Sequence, residues 1–229
     1  MFTENIIPNP FKSKNIAFEG IDGSGKSSNF TSIRNLLEAK YPEVKVIYTK
    51  EPGSRRNYGG QIYQILNGEH SSLSLPQMGQ AHFQAFYAQD RIENHRVNIL
   101  PAHNRGDHVF QDRTALSSVC YGAQSPIDFD NFFGINDRMF SVAGIPLIWP
   151  DKIIIFDVPA SVAVERLNRP DRIRDVFEQV EKLERVRLNY LSFAELHPEL
   201  CCIIDGQASI DEVSRYTKEE VFKVLGIRT

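Results

Sequence analysis

The stretch from Asn15 to Lys40 limits what this chain can fold into more than any other. An apolar run, Asn15 to Ile21, leads into glycines at 20, 23 and 25, and a helical pattern follows from Ser27 to Lys40 with Ile33, Leu36 and Leu37 on one face. Strand, glycine turn, helix is the opening of a parallel α/β unit. The turn reads Gly20-Ile21-Asp22-Gly23-Ser24-Gly25-Lys26-Ser27. Glycines let the backbone curl until successive N–H groups face inward, and the helix that starts near Lys26 adds its positive end. Such a nest suits a chain of phosphates. Lys26 is placed to reach the outer phosphates, and the Ser27 hydroxyl suits Mg²⁺. The other reading is a flexible Gly/Ser turn between strand and helix. Asp22 is either a turn former or a ligand for the metal or a sugar hydroxyl.

The rest of the chain repeats the alternation. Val44–Tyr48, Val109–Gln111, Lys152–Val158 and Cys201–Ile204 read as further strands. The intervening helices span 59–67, 76–100, 115–122, 161–167, 175–196 and 210–225. Pro101 is expected to end the long helix at Leu100. Ser125–Pro150 is expected to break into short pieces at Gly134, Gly144 and Pro146. The strands are continuous apolar runs, as in a parallel sheet covered on both faces. The expected fold is therefore α/β, a P-loop NTPase fold with a mostly five-stranded parallel sheet, helices on both faces and a short lid at about 168–177. With 229 residues and no compositional shift that marks a linker, the chain is expected to be one domain over 1–229.

Composition excludes several classes. With 26 Lys+Arg against 29 Asp+Glu, the net charge of -3 gives no reason to expect nucleic-acid or membrane partners. Hydrophobic residues at 41% exclude a disordered chain. Three cysteines, Cys120, Cys201 and Cys202, are too few and too oddly spaced for a disulfide framework, and point to a cytoplasmic protein. Met1–Lys14 has no basic segment followed by an apolar run, so no signal peptide is expected there.

Three further groups carry chemistry. Asp112 and Arg113 close a strand, at the carboxyl end where open α/β sheets bind ligands. Asp112 could hold Mg²⁺ and Arg113 a phosphate, or the two form a surface pair at a strand exit. Phe83, Tyr87, Arg91 and His95 recur every four residues on one helix face. That stripe is either core or a platform that stacks on and hydrogen-bonds a heterocycle. Arg166, Arg169, Arg172 and Arg174 form either a solvated basic turn or a lid that closes on a moving phosphoryl group.

Taken in order, these motifs resemble the thymidylate kinase family. Phe18–Ser27 is similar to its phosphate loop, Lys50-Glu51-Pro52-Gly53 to its Arg-Glu-Pro-Gly turn, and Ala88–Ala102 to its long helix. Gly106–Val109 with Asp112-Arg113, then Ser117, Ser118 and Tyr121, is similar to the following strand and helix. Phe156-Asp157-Val158-Pro159 and Asp175–Leu191 resemble the elements around the lid. The resemblance implies transfer of the γ-phosphoryl of ATP to dTMP, with Mg²⁺, in a homodimer. ATP would be held by Gly20, Ile21, Asp22, Gly23, Ser24, Gly25, Lys26, Ser27 and Ser28, and Mg²⁺ by Ser27 and Asp112. The acceptor would be held by Asp22, Arg55, Tyr87, Arg91, Arg113, Ser118 and Tyr121. The implied catalytic groups are Lys26, Arg113 and the lid arginines Arg169, Arg172 and Arg174, and Asp205–Ser209 would lie near the adenine.

Four positions depart from the family pattern. Lys50 stands in place of Arg, with Arg55 and Arg56 close behind as substitutes. Tyr87 stands in place of Phe, Thr114 in place of the Tyr after Asp-Arg, and Gly122 where Gln is common. These departures leave open a kinase for another pyrimidine monophosphate or for a deoxynucleoside. The latter would need a carboxylate base, Glu19 or Asp22. A nucleotide-binding protein without turnover is the remaining reading.

Overall fold

Five strands carry the architecture: β1 (Asn15–Glu19), β2 (Val46–Lys50), β3 (His108–Asp112), β4 (Lys152–Asp157) and β5 (Cys201–Asp205). A computed structural model describes residues 6–167 and 176–228. Arg169, Arg172 and Arg174, and the expected lid up to residue 175, lie outside the described residues. The strand order is β2-β3-β1-β4-β5. The pairs β2–β3, β1–β4 and β4–β5 run parallel, as continuous apolar strands demand. β1 is buried at every position, whereas the terminal strands β2 and β5 keep exposed residues.

Packing divides the chain into two units, each drawn from separated stretches of sequence. One comprises Ile16–Lys45 and Pro150–Thr229. Within it, helices α1 (Lys26–Lys40), α8 (Ala160–Leu167), α9 (Val176–Leu196) and α10 (Ile210–Leu225) accompany most of β1 together with β4 and β5. Phe18 of β1 meets Phe30 edge-on at 5.1 Å and stacks with Phe156 at 6.3 Å. The register sets Asp157 beside Asp205 at the carboxyl ends of β4 and β5.

The other unit comprises Met1–Asn15 and Val46–Trp149. It holds β2 and β3 with α2 (Asn57–Leu66), α3 (Leu75–Met78), α4 (Gln80–Asn94), α5 (Leu100–Arg105), α6 (Ala115–Gly122) and α7 (Pro126–Ala143). Helix α4 is its hub, packed on α2, α6 and α7. The N-terminal lead-in is tied down: Val109 N–H donates to the Lys14 carbonyl at 2.8 Å, and Phe11 stacks on His103 at 4.8 Å.

Two sequence expectations fail here. The helix expected over 76–100 is not continuous and does not end at Pro101. Gly79, at φ 73°, separates α3 from α4, and a π-helical turn over His95–Ile99 joins α4 to α5, which runs on to Arg105. The wide turn explains the tolerance: Pro101 falls in the first turn of α5, where its missing N–H breaks no helical bond. Gly106, at φ 86°, supplies the actual stop. The second failure is Ser125–Pro150. Instead of short pieces it contains the 18-residue α7, with Ser125 and Asp128 forming a reciprocal N-terminal cap and Gly144 at φ 70° ending it. Gly134 costs such a helix about 1 kcal/mol relative to alanine, which the burial of Phe132, Phe133 and Phe140 outweighs.

Candidate functional site

The loop after β1 is built from backbone. Gly20, Gly23 and Gly25 have φ of 138°, 85° and 90°, values that other residues rarely adopt. A side chain at Gly20 would come within 2.6 Å of the Phe156 carbonyl, and one at Gly23 within 2.4 Å of the Ala163 carbonyl. Conformation and clearance therefore both demand glycine at those two positions. The result is a cavity of about 320 Å³ lined by Ile21, Asp22, Gly23, Ser24, Gly25, Lys26, Ser27, Ser28 and Arg166. Lys26 heads α1, so its charge and the N–H groups of the first turn share one end of the helix. Its ammonium donates to Ser27 Oγ at 3.3 Å.

From the sequence, Arg166 belongs either to a solvated basic turn or to a lid. The structure puts it on the cavity wall, where Nη2 donates to the Gly206 carbonyl at 3.0 Å. Gly206 opens the turn after β5 and donates to the Asp157 carbonyl at 2.8 Å. Arg166 thus joins the phosphate loop's surroundings to the Asp205–Ser209 segment. Glu19 is fully buried and accepts from Tyr190 Oη at 3.0 Å. Further back, Arg187 forks onto Asp157 at 2.6 and 2.9 Å and onto Glu184 at 2.7 Å, which fixes α9 to the end of β4.

The second group of residues is built from side chains. Arg91 is 2% exposed. Its Nε donates to Glu51 Oε2 at 2.8 Å, its Nη1 to Asn136 Oδ1 and its Nη2 to Ser118 Oγ at 3.3 Å. Three of the five guanidinium donors are engaged, which leaves two. Glu51 also accepts from Asn94 at 3.2 Å. Burial pushes the Glu51 carboxyl above its ordinary range, while the Arg91 guanidinium opposes that rise. Beside it, Asp90 accepts from Arg56 at 2.8 and 2.6 Å and from the Gly53 amide at 3.2 Å. Gly59 must stay small there, because a Cβ would sit 2.2 Å from the Gly53 carbonyl and 2.5 Å from Asp90 Oδ1.

Arg113 has φ 73°, a left-handed conformation unusual for a residue with a Cβ. It directs Nη1 to Ser117 Oγ at 2.7 Å and Nη2 to Tyr121 Oη at 3.3 Å, with its guanidinium 5.0 Å from the Tyr121 ring centre. Thr114, the departure from Tyr, caps α6: its Oγ1 accepts from the Leu116 amide at 3.2 Å. Asp112 is buried at the end of β3, with the Lys50 ammonium 3.9 Å away. Tyr87 packs edge-on against Phe83 at 5.0 Å, and burial raises its phenol well above the ordinary value. His95, the end of the stripe, lies in the π turn against Phe140 and the Arg91 carbonyl, and burial lowers it to about 4.

The structure therefore brings Arg91 and Ser118 into direct contact, and likewise Arg113 and Tyr121. Arg55 joins neither pair: it is exposed, and among the described residues it has no hydrogen-bond or ion-pair partner. Arg56 is committed to Asp90 and the Lys50 carbonyl. Sequence reasoning assigned no role to Asp90, Asn94 or Asn136. Adjacent Asp90-Arg91 was a visible signal, but Asn136 lay in the stretch read as broken.

Comparison with known proteins decides the family. The family model for thymidylate kinase matches residues 18–216. The chain belongs to the thymidylate kinase family. Thymidylate kinase of Akkermansia muciniphila is 32% identical over 218 residues, covering 95% of this chain and 93% of the relative. That of Thermosipho africanus is 34% identical over 211 residues, covering 92% and 98%. That of Nitrosomonas europaea is 33% identical over 218 residues, covering 92% and 93%. The chain is accordingly a phosphotransferase, a nucleoside monophosphate kinase that uses ATP as donor. Among the described residues no helix is long and apolar enough to cross a membrane.

Proposed function

We propose that this chain converts dTMP and ATP to dTDP and ADP, with the triphosphate in the loop cavity and the acceptor at the Arg91–Ser118 and Arg113–Tyr121 pairs. The observation that carries the reading is the cavity enclosed by eight consecutive residues of a phosphate loop, in a chain of this family. The two N–H donors left on Arg91 suit a pyrimidine carbonyl, and the Arg113 fork suits the acceptor phosphate. The attacking atom is a phosphate oxygen, anionic at neutral pH, so no general base is required. Lys26 and the N–H groups that open α1 offset the charge that spreads over the transferring group. Glu19 is unsuited to the proton transfer that a deoxynucleoside kinase would need, being sealed in the core with Tyr190 donating to it.

Mg²⁺ fits this loop. Asp22 and Ser27 line the same cavity with oxygen donors, and Mg²⁺ takes few protein ligands, filling its shell with phosphate oxygens and water. Among the described residues no group of three His, Cys, Asp or Glu could hold a metal by itself. When bound, the ion supplies charge neutralisation between the outer phosphates. Asp112 remains a candidate for the same ion, and Arg169, Arg172 and Arg174 for closing on the phosphoryl group.

The family resemblance also supports a homodimer, and three free cysteines suit a reducing cytoplasm. Sedimentation at the mass of one chain would remove the homodimer. The function itself is tested by incubating the purified chain with Mg·ATP and thymidine, dTMP, dUMP or dCMP. We expect dTMP to give the highest kcat/KM, and a preference for unphosphorylated thymidine would overturn the reading.

A further inference from the structure

Gln84 is 1% exposed, on the same side of α4 as Arg91 two turns later. Its Nε2 donates to the Ser118 carbonyl at 2.7 Å. That bond fixes the amide's orientation, since the other end would set oxygen against oxygen. Among the described residues its Oε1 then has no partner, and it is shut off from water. Buried acceptors without a donor are rare and unfavourable, so such an atom asks for a functional explanation. The other end of the carboxamide is closely packed. A Cβ at Gly122 would fall 2.4 Å from Gln84 Nε2 and 3.1 Å from the Phe132 ring. Gly122 has no left-handed φ to require glycine, so clearance for the Gln84 carboxamide is what excludes a side chain there.

We propose that Gln84 is a specificity-determining residue for the acceptor base, its Oε1 accepting a hydrogen bond from the ring N–H of a pyrimidine such as thymine. The inference rests on the reading of this chain as a dTMP kinase. Ser118 links the two readers: its carbonyl anchors Gln84, and its hydroxyl accepts from Arg91. Arg91 offers donors to ring carbonyls, and Gln84 offers an acceptor to the N–H between them. Thymine and uracil carry that N–H. Cytosine carries a bare nitrogen there, and its lone pair would face Oε1. Because Oε1 is shielded, the base meets it only as the surrounding side chains part to admit the ring.

The test measures kcat/KM for dTMP and dCMP, and KM for ATP, in the unaltered chain, in Gln84→Met and in Gly122→Ala. Gln84→Met keeps the bulk and removes the acceptor. Gly122→Ala keeps the acceptor and displaces it. We expect the preference for dTMP over dCMP to fall roughly tenfold or more in each, mainly through KM for dTMP, with KM for ATP unchanged. An unchanged preference in a variant that melts like the unaltered chain would overturn the proposal. So would an equal loss for both acceptors, which would mean that Gln84 only supports α6. If the unaltered chain phosphorylates neither nucleotide, the dTMP kinase reading fails and the inference with it. If it phosphorylates dTMP but neither variant shifts the preference, only the role of Gln84 fails.

Discussion

The loop around Lys26 and the cluster around Arg91 place positive charge in opposite ways. The loop uses eight consecutive residues, mostly their backbone, with glycines whose φ values and clearances leave no alternative. The cluster uses side chains from the β2 exit, α4, α6 and α7, joined across 27 to 45 positions of sequence. In the first the charge lines the cavity. In the second it is already compensated by Glu51, and what remains for a ligand is direction rather than charge. A backbone nest gives affinity for any phosphate chain, whereas a braced guanidinium discriminates between ligands.

The contrast can be broken most forcefully at Arg91. Replacing it with Leu leaves the Glu51 carboxylate buried without its ion partner. The expected cost is about 3–5 kcal/mol of stability, read as a large drop in melting temperature as well as lost turnover. Lys26→Ala should show the other pattern. Turnover should fall by roughly 10³-fold, comparable to losing one preorganised charge-stabilising donor. Melting should stay close to that of the unaltered chain, because a cation at the start of α1 opposes the helix dipole. Equal melting losses in the two variants would erase the distinction between a cavity-lining and a compensated charge.

A smaller effect comes from His95, beneath the cluster. Burial lowers it to about 4 from an ordinary value near 6.5. Below about pH 6.5 the unfolded chain takes up a proton that the folded chain refuses until about pH 4. Stability is therefore full above that window and falls within it, by up to about 3 kcal/mol. Denaturant titrations from pH 7 to 4, with His95→Gln as control, read this directly. The control should lose most of the slope. If it keeps the slope, His95 is not its source.

The same contrast governs how much could be read beforehand. The phosphate loop was legible because its determinants are local: the spacing of glycines, a Lys-Ser pair, a strand before and a helix after. The strands were legible because burial on both faces leaves unbroken apolar runs. The cluster around Arg91 was legible only in part. Arg91, Arg113, Ser118 and Tyr121 stood out by residue type and resemblance. Their braces did not, since nothing local in Asn136 announces that it lies against Arg91, 45 positions away. Helix α7 was misread because Gly134 outweighed a Ser125-Pro126 start that does announce a helix. The π turn hid for a related reason. One residue of extra winding leaves no mark on composition and shows only when Pro101 turns up inside a helix.

Arg113 repays a last look as a matter of selection. Its backbone sits where glycine would rest without strain, and a glycine there would relieve the conformation while deleting the guanidinium. At this one residue folding and recognition want different amino acids. Exchanging Arg113 for Gly would relax the backbone but give up the bonds to Ser117 and Tyr121, so the strain is held in place by what the guanidinium gains from its position.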